Sequence, residues 1–569
     1  MRFDRLDRRQ FLGCTTAAGA ALLLAPLGCA GPGAGGAAAQ PPAGPGSPPP
    51  RPATGPQPAP HAWIEEATIA GLQAAMKSGE HSSRAITEAY LARIEALDRR
   101  GPALHSVIEL NPDALADADR LDQERRGRGP RGPLHGIPIL LKDNIATADR
   151  MTTTAGSLAL AGSIAPRDSA VAARLRAAGA VLLGKANMSE WANFRSTRSV
   201  SGWSGRGGQC RNPYDLSRSP CGSSSGSAAA VAANLCAVAI GSETDGSIVC
   251  PSASCGIVGI KPTVGLVSRA GVIPISHTQD TAGPMCRTVA DAAAVLAVLA
   301  GADERDPATR GIAPADYTTF DVTRVRGARI GVARTYFGYH PGLDARIEES
   351  IAALRSLGAE IIDPVALGAM KELEEAELDV LLYEFKADLD AYLADLGPSA
   401  PVHSLADVIA FNEKHSAEEM PIFGQELFIK AQAKGPLTDG AYRKALARCR
   451  RVARTEGIDA IMKSRRLDAL VAPTNSPAWL VDRVLGDHFV GGSSTPAAVA
   501  GYPSVTVPAG HVDGLPVGIS LFGRRLEEQR LVGLAHALEQ ATHVRRPPTM
   551  SEMASEHAPD AGAGCPCGH

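Results

Sequence analysis

Three short stretches of this chain carry residue types that nucleophilic chemistry needs. The first is Cys221-Gly222-Ser223-Ser224-Ser225-Gly226-Ser227, which runs straight into Ala228 to Ala233. The second is Gly241-Ser242-Glu243-Thr244-Asp245-Gly246-Ser247-Ile248, placed after the apolar run Leu235 to Ile240. The third is Lys142, which ends the apolar run Gly136 to Leu141 and precedes Asp143-Asn144. A serine hydroxyl is a weak nucleophile until a base takes its proton. A lysine is such a base only where burial disfavours its ammonium form.

The first serine-rich loop has three readings. A flexible Gly/Ser linker would lead into polar sequence, whereas this loop leads into alanines that favour helix. A Gly-x-Ser-x-Gly elbow centred on Ser224 needs a strand immediately before it, yet Arg211 to Pro220 reads as loop. That elbow would make a Ser-His-Asp hydrolase, with His488, His511 or His536 as its base. The third reading makes the loop one part of a catalytic set completed by the other two stretches.

That third reading fits a known pattern. PILLKDN around Lys142, GSSSGSAAAVAA around Ser223 and ETDGSI around Ser247 occur in order, with Ser223 and Ser247 24 residues apart. Together they resemble the amidase signature family of Ser-Ser-Lys amide hydrolases, over roughly Ala62 to Thr542. SEWANFRSTRS, RNPYDLSRSPCGSSSGSA, KPTVGLVSRAGVIPIS and GDHFVGGSSTPAAVAGYP look closer still to the family's bacterial peptide amidases. The resemblance implies Ser247 as nucleophile, Ser223 as proton relay after a cis bond from Gly222, and Lys142 as base. It further implies an oxyanion hole made by the backbone of Thr244, Asp245, Gly246 and Ser247, and no cofactor or metal.

Asp143 is equally suited to orienting a loop and to meeting substrate. Many family members carry Gly where Asp245 stands, so its carboxylate is expected to face away from the Ser247 hydroxyl. The implied substrate is a peptide C-terminal amide or another small amide. A broader acylamidase or esterase would use the same three residues, and a surface-tethered binding protein would need none of them.

The elements that must hold these residues alternate short apolar runs with helical ones, which argues for an α/β core. The resemblance makes this an α/β/α sandwich with a central mixed sheet. Ile69 to Ile94 reads as an amphipathic helical opening, Ser169 to Gly179 as a helix stopped by glycine, and Ala180 to Gly184 as a strand. Lys371 to Leu396 is long, charged and helical, and the pattern resumes at Asp439 to Arg466, so residues 371–466 read as a helical insertion or cap over the core. Tyr502 to Pro508 and Gly514 to Gly523 read as returning strands.

The ends read differently. Arg8-Arg9-Gln10-Phe11-Leu12 before the apolar run Ala17 to Leu27 is a twin-arginine type export signal, too short to span a membrane. Cleavage before Cys29 would leave a lipid anchor, and cleavage after Ala30 a soluble exported protein. Residues 31–61, rich in Ala, Gly and Pro, read as a tether, and 551–569, ending Cys565-Pro566-Cys567-Gly568-His569, as a frayed tail. The eleven cysteines do not pair by spacing, and Cys221, Cys236, Cys250, Cys255 and Cys286 read as buried thiols. A chain of 569 residues, 44% hydrophobic, with a net charge of −3, has no polybasic surface for nucleic acid, and so none for a tRNA-dependent amidotransferase subunit.

Overall fold

Eleven strands form one mixed sheet. In spatial order they are Val107–Leu110, Val181–Ala186, Pro138–Lys142, Val238–Glu243, Thr281–Cys286, Val258–Lys261, Ser504–Val512, Leu515–Phe522, Ala469–Pro473, Arg329–Ala333 and Glu360–Val365. This computed structural model describes residues 61–368 and 371–551. The stretch expected to be an export signal, Cys29, all of the expected tether but His61, and the expected tail beyond Ser551 lie outside the described residues. Among the described residues no helix is long and apolar enough to cross a membrane.

The strand order explains where chemistry can sit. Pro138–Lys142 runs parallel to both Val181–Ala186 and Val238–Glu243, with Leu141 opposite Ile240. Parallel neighbours bring their carboxyl ends to one edge, where side chains of successive strands converge. Lys142 therefore emerges beside Gly241 to Glu243. All five residues of Pro138–Lys142 are buried, which is why the run is continuously apolar rather than alternating.

Helix Ser225–Ala232 is buried on every side, as a helix apolar all round must be. Its small side chains let it pack closely, and it carries the serine loop at its N-terminus. At Gly226 an added Cβ would sit 2.2 Å from the Ser106 carbonyl oxygen, so only glycine fits that position.

The opening segment is two helices, not one. Ile69–Ser78 stops at Gly79, whose φ of 80° suits glycine, and Ser82 then caps Ser83–Arg93 by accepting the Ala85 amide. Within residues 371–466 helices Lys371–Asp395, Leu405–Lys414, Ser416–Glu419, Glu426–Gln432, Gly440–Arg450 and Asp459–Arg465 are joined mostly by short non-helical links before the chain returns to the sheet at Ala469. Phe385, Leu389 and Phe428 from these helices pack with Met188, Trp191 and Phe194, next to the serine loop in sequence. Arg195, fully buried, ties the same surfaces by pairing with Glu190 at 3.0 Å and with Glu419 of the insertion at 3.6 Å.

Leu140 is fully buried in the strand that delivers Lys142. Leu140→Ala is expected to lower unfolding stability by about 2–5 kcal/mol, read from denaturant melts, because the rigid sheet leaves a cavity there.

Candidate active site

Lys142 is fully buried, and its Nζ makes three hydrogen bonds: to Ser223 Oγ at 2.8 Å, and to the Ser242 carbonyl and Oγ at 3.0 Å each. Ser242 Oγ is fixed in turn by Asn144 Nδ2 at 2.9 Å. Burial pushes the Lys142 ammonium down to about 7, against the pull of the Asp280 and Glu243 carboxylates, which favour the charged form. Among the described residues nothing bonded to the amine is an anion. It is therefore held by neutral acceptors that suit a group shuttling between charged and neutral forms.

Two loops meet above this amine. The Gly222–Ser223 bond is cis, and the Ser223 carbonyl accepts the Ser189 amide at 3.1 Å. A Cβ at Gly222 would lie 2.2 Å from Ser189 Oγ, so no side chain is tolerated there. The Ser224 amide donates to the Ser247 carbonyl at 3.1 Å, which places the two serine loops side by side.

Glu243 pinches the second loop by accepting the amides of Ile248 at 2.7 Å and Val249 at 3.0 Å. Gly246, with φ of 79°, takes the left-handed turn between them, and a Cβ there would lie 3.1 Å from Ser494 Oγ. Among the described residues the amides of Asp245, Gly246 and Ser247 donate to no protein acceptor. Asp245 and Gly246 line a cavity of about 270 Å³, together with Gly222, Cys221, Trp479 and Phe489.

Thr244 is anchored through its hydroxyl to Asp280 at 2.6 Å. The Asp245 carboxyl turns to Thr495, whose Oγ1 donates to it at 2.7 Å, and has no hydrogen bond with the Ser247 hydroxyl. Asp143 orients a loop: its side chain accepts from the Thr154 hydroxyl and, at 3.1 Å, from the Gly156 amide, with Arg206 3.6 Å away.

The histidine-based alternative finds no assembly. Ser224 Oγ is spent on the Ser242 carbonyl at 3.1 Å and the Ser242 amide at 3.2 Å. His488 pairs with Asp482, His511 lies against Tyr214, and His536 stacks on Phe320. Among the described residues one donor set, His277, Glu384 and Asp388, is compact enough for a metal ion. Its oxygens already accept from Tyr442, Ser276, Thr278 and His277 itself.

Cys221 and Cys250 are not free thiols but a disulfide, with Cα atoms 6.1 Å apart. It joins the loop of Ser223 to the helix that follows Ser247, and Trp479 packs on it. Cys236, Cys255 and Cys286 are buried thiols. Nothing in the sequence marks Gln279, Asp280 or Glu377 as neighbours of the second loop, because they arrive from distant segments; Thr495 lies within the quoted run GDHFVGGSSTPAAVAGYP, but its contact with Asp245 is set by packing. Ser242 and Asn144 were within the quoted motifs, and their polar side chains at strand ends were the available signal.

The fold and this site define an amide-hydrolysing enzyme. The chain belongs to the amidase family, whose model, described as Amidase, matches residues 85–532. The native peptide amidase from Stenotrophomonas maltophilia is 55% identical, with a TM-score of 0.81, covering 85% of this chain and 99% of its own. Peptide amidase PAM in complex with the competitive inhibitor chymostatin is 56% identical, with a TM-score of 0.83 and coverage of 85% and 99%. A probable amidase of Arabidopsis thaliana is 43% identical over 498 residues, 85% of this chain and 92% of the relative. The chain is thus similar to peptide amidases, as the subgroup motifs suggested.

The disulfide closes a loop of 29 residues in sequence separation. Cys221→Ser/Cys250→Ser is expected to unfold at lower denaturant than the oxidised protein, by about 3 kcal/mol of stability. Unfolding curves with and without reductant check this.

Proposed function

We propose that this chain hydrolyses peptide C-terminal amides, releasing ammonia, through an acyl-enzyme on Ser247. The observation that carries the reading is the fully buried Lys142 amine, 2.8 Å from Ser223 Oγ, beneath the loop that bears Ser247.

The chemistry follows in order. Neutral Lys142 takes the Ser223 hydroxyl proton as Ser223 takes that of Ser247, and the freed Ser247 Oγ attacks the amide carbon. The oxyanion that forms is met by the unengaged amides of the second loop, where preorganised donors act most strongly away from water. As the C–N bond breaks, Lys142 returns its proton through Ser223 to the departing nitrogen, which leaves as ammonia. Water then attacks the Ser247 ester by the same relay, releasing the carboxylic acid and restoring the serine. One amine thus serves as base and then as acid.

The substrate class rests on similarity to the two peptide amidases and on the cavity, whose Trp479 and Phe489 offer apolar walls to an acyl side chain. Export to an oxidising compartment, with or without lipid at Cys29, is part of the same proposal. It is supported by the Arg8-Arg9 signal and by the Cys221–Cys250 disulfide, a bond that persists where thiols are not kept reduced.

The test follows ammonia from a C-terminally amidated dipeptide, with Ser247→Ala as blank and an N-acylated anilide in parallel. Release from the dipeptide amide alone, absent in the blank, is expected; turnover of the anilide only would move the substrate to the acylamidase class. Lys142→Ala should lower kcat by about 100-fold or more.

The pH dependence has a definite sign. The active amine is neutral, so kcat should rise as pH passes about 7, gaining about tenfold between pH 6 and pH 8. A rate that is highest in acid would contradict Lys142 as base.

A further inference from the structure

Helix Lys371–Asp395 of the insertion reaches the loop that bears Ser247. Glu377, 8% exposed, accepts a 2.8 Å hydrogen bond from Gln279 Nε2, and the same nitrogen donates to the Thr244 carbonyl at 3.3 Å. Glu377 and Asp245 are also neighbours, each carboxyl acting electrostatically on the other. Two ionised carboxylates side by side in a buried site repel each other, and the arrangement is favoured when one of them carries a proton. Asp245 Oδ2 is occupied by Thr495 Oγ1, whereas its buried Oδ1 has no hydrogen-bond partner among the described residues. A protonated Glu377 beside it would supply the donor that this oxygen lacks.

The surroundings put that proton on Glu377. Burial and the adjacent Asp245 raise Glu377 well above the usual carboxylate range, and Glu374 on its own helix adds to this. Cys449, from the neighbouring helix Gly440–Arg450, also faces Glu377. Asp245 has more that favours its anion: Ser494, Thr495 and the buried Lys261, opposed by Glu243 and with Tyr336 nearby.

We propose that Glu377 is a positioning residue for the oxyanion loop: as a neutral acid it donates its proton to Asp245 and, through Gln279, steadies Thr244. The proposal rests on the reading of residues 244–247 as the oxyanion-binding loop. It explains how an acidic side chain is accommodated within that loop, since the shared proton cancels one of two adjoining charges. Loss of the proton in alkali would set two anions against each other beside the developing oxyanion, and kcat should fall. Lys261, pushed down by burial to about 8, would withdraw its counter-charge in the same direction.

The experiment compares wild type, Glu377→Gln and Glu377→Ala. In Glu377→Gln an amide N–H replaces the acid O–H and the carbonyl still accepts from Gln279. This variant is expected to keep kcat within about threefold at pH 7.5 and to lose most of the alkaline fall, whereas Glu377→Ala loses about tenfold or more in kcat with a smaller change in KM. The infrared spectrum gives a readout independent of turnover: at pH 7 the wild type should show a buried carboxylic-acid carbonyl band that Glu377→Gln lacks. If the band is the same in both proteins, or if Glu377→Gln is as slow as Glu377→Ala and keeps the alkaline fall, the proposal is overturned. Failure of the Ser247 and Lys142 chemistry would show instead as ammonia release surviving in Ser247→Ala or Lys142→Ala, with the infrared band still present.

Discussion

A fully buried lysine amine without a bonded anion is the constraint on which this molecule is built. Taking an ammonium from water into such a site is unfavourable by several kcal/mol, and a displacement from the ordinary lysine value to about 7 corresponds to on the order of 5 kcal/mol against the charged form. The group is not left bare, because Ser223 and both oxygens of Ser242 receive its hydrogens. Parallel pairing of Pro138–Lys142 with Val238–Glu243 puts those oxygens within reach. The sheet register is therefore as much a part of the site as the serines. A slip of one residue would turn Lys142 to the opposite face.

The same constraint explains why so many distant segments converge. A neutral amine activates a hydroxyl only in a fixed geometry, and two loops separated in sequence cannot hold one unaided. They are fastened at the Ser224 amide and Ser247 carbonyl, at the Cys221–Cys250 bond, and at Glu243 across the turn. Residues 371–466 supply the last fastening, through Glu377 and Gln279 to the Thr244 carbonyl and through Glu419 to Arg195 and Glu190 beside the serine loop. These residues thus belong to the framework that holds the two loops.

Much of this was legible in the sequence, for reasons that differ by element. Lys142 was conspicuous because a cation ends a run of buried apolar residues, and the serine loops because small residues crowd where a backbone must approach closely. The strands around them, Val181–Ala186, Ser504–Val512 and Leu515–Phe522, were bounded by turn residues and read nearly as they lie. The opening reads as one helical run because its apolar spacing survives across Gly79, while its break depends on a single left-handed residue. The disulfide is not legible in the sequence because Cys221 and Cys250 sit among small apolar neighbours that suit a free thiol equally well. Gln279 and Glu377 carry no local signal at all, and Thr495, within the run GDHFVGGSSTPAAVAGYP, carries none for its contact with Asp245, since these roles exist only once distant segments have packed.

The central claim is that Lys142 is an uncharged base at neutral pH. The direct measurement is a nitrogen NMR titration of lysine-labelled protein, with the Lys142 resonance assigned by its loss in Lys142→Met. The account predicts a midpoint near 7. A midpoint at the ordinary lysine value, about 10.4, would contradict it, because the amine would then be an ammonium throughout the range in which a base is needed.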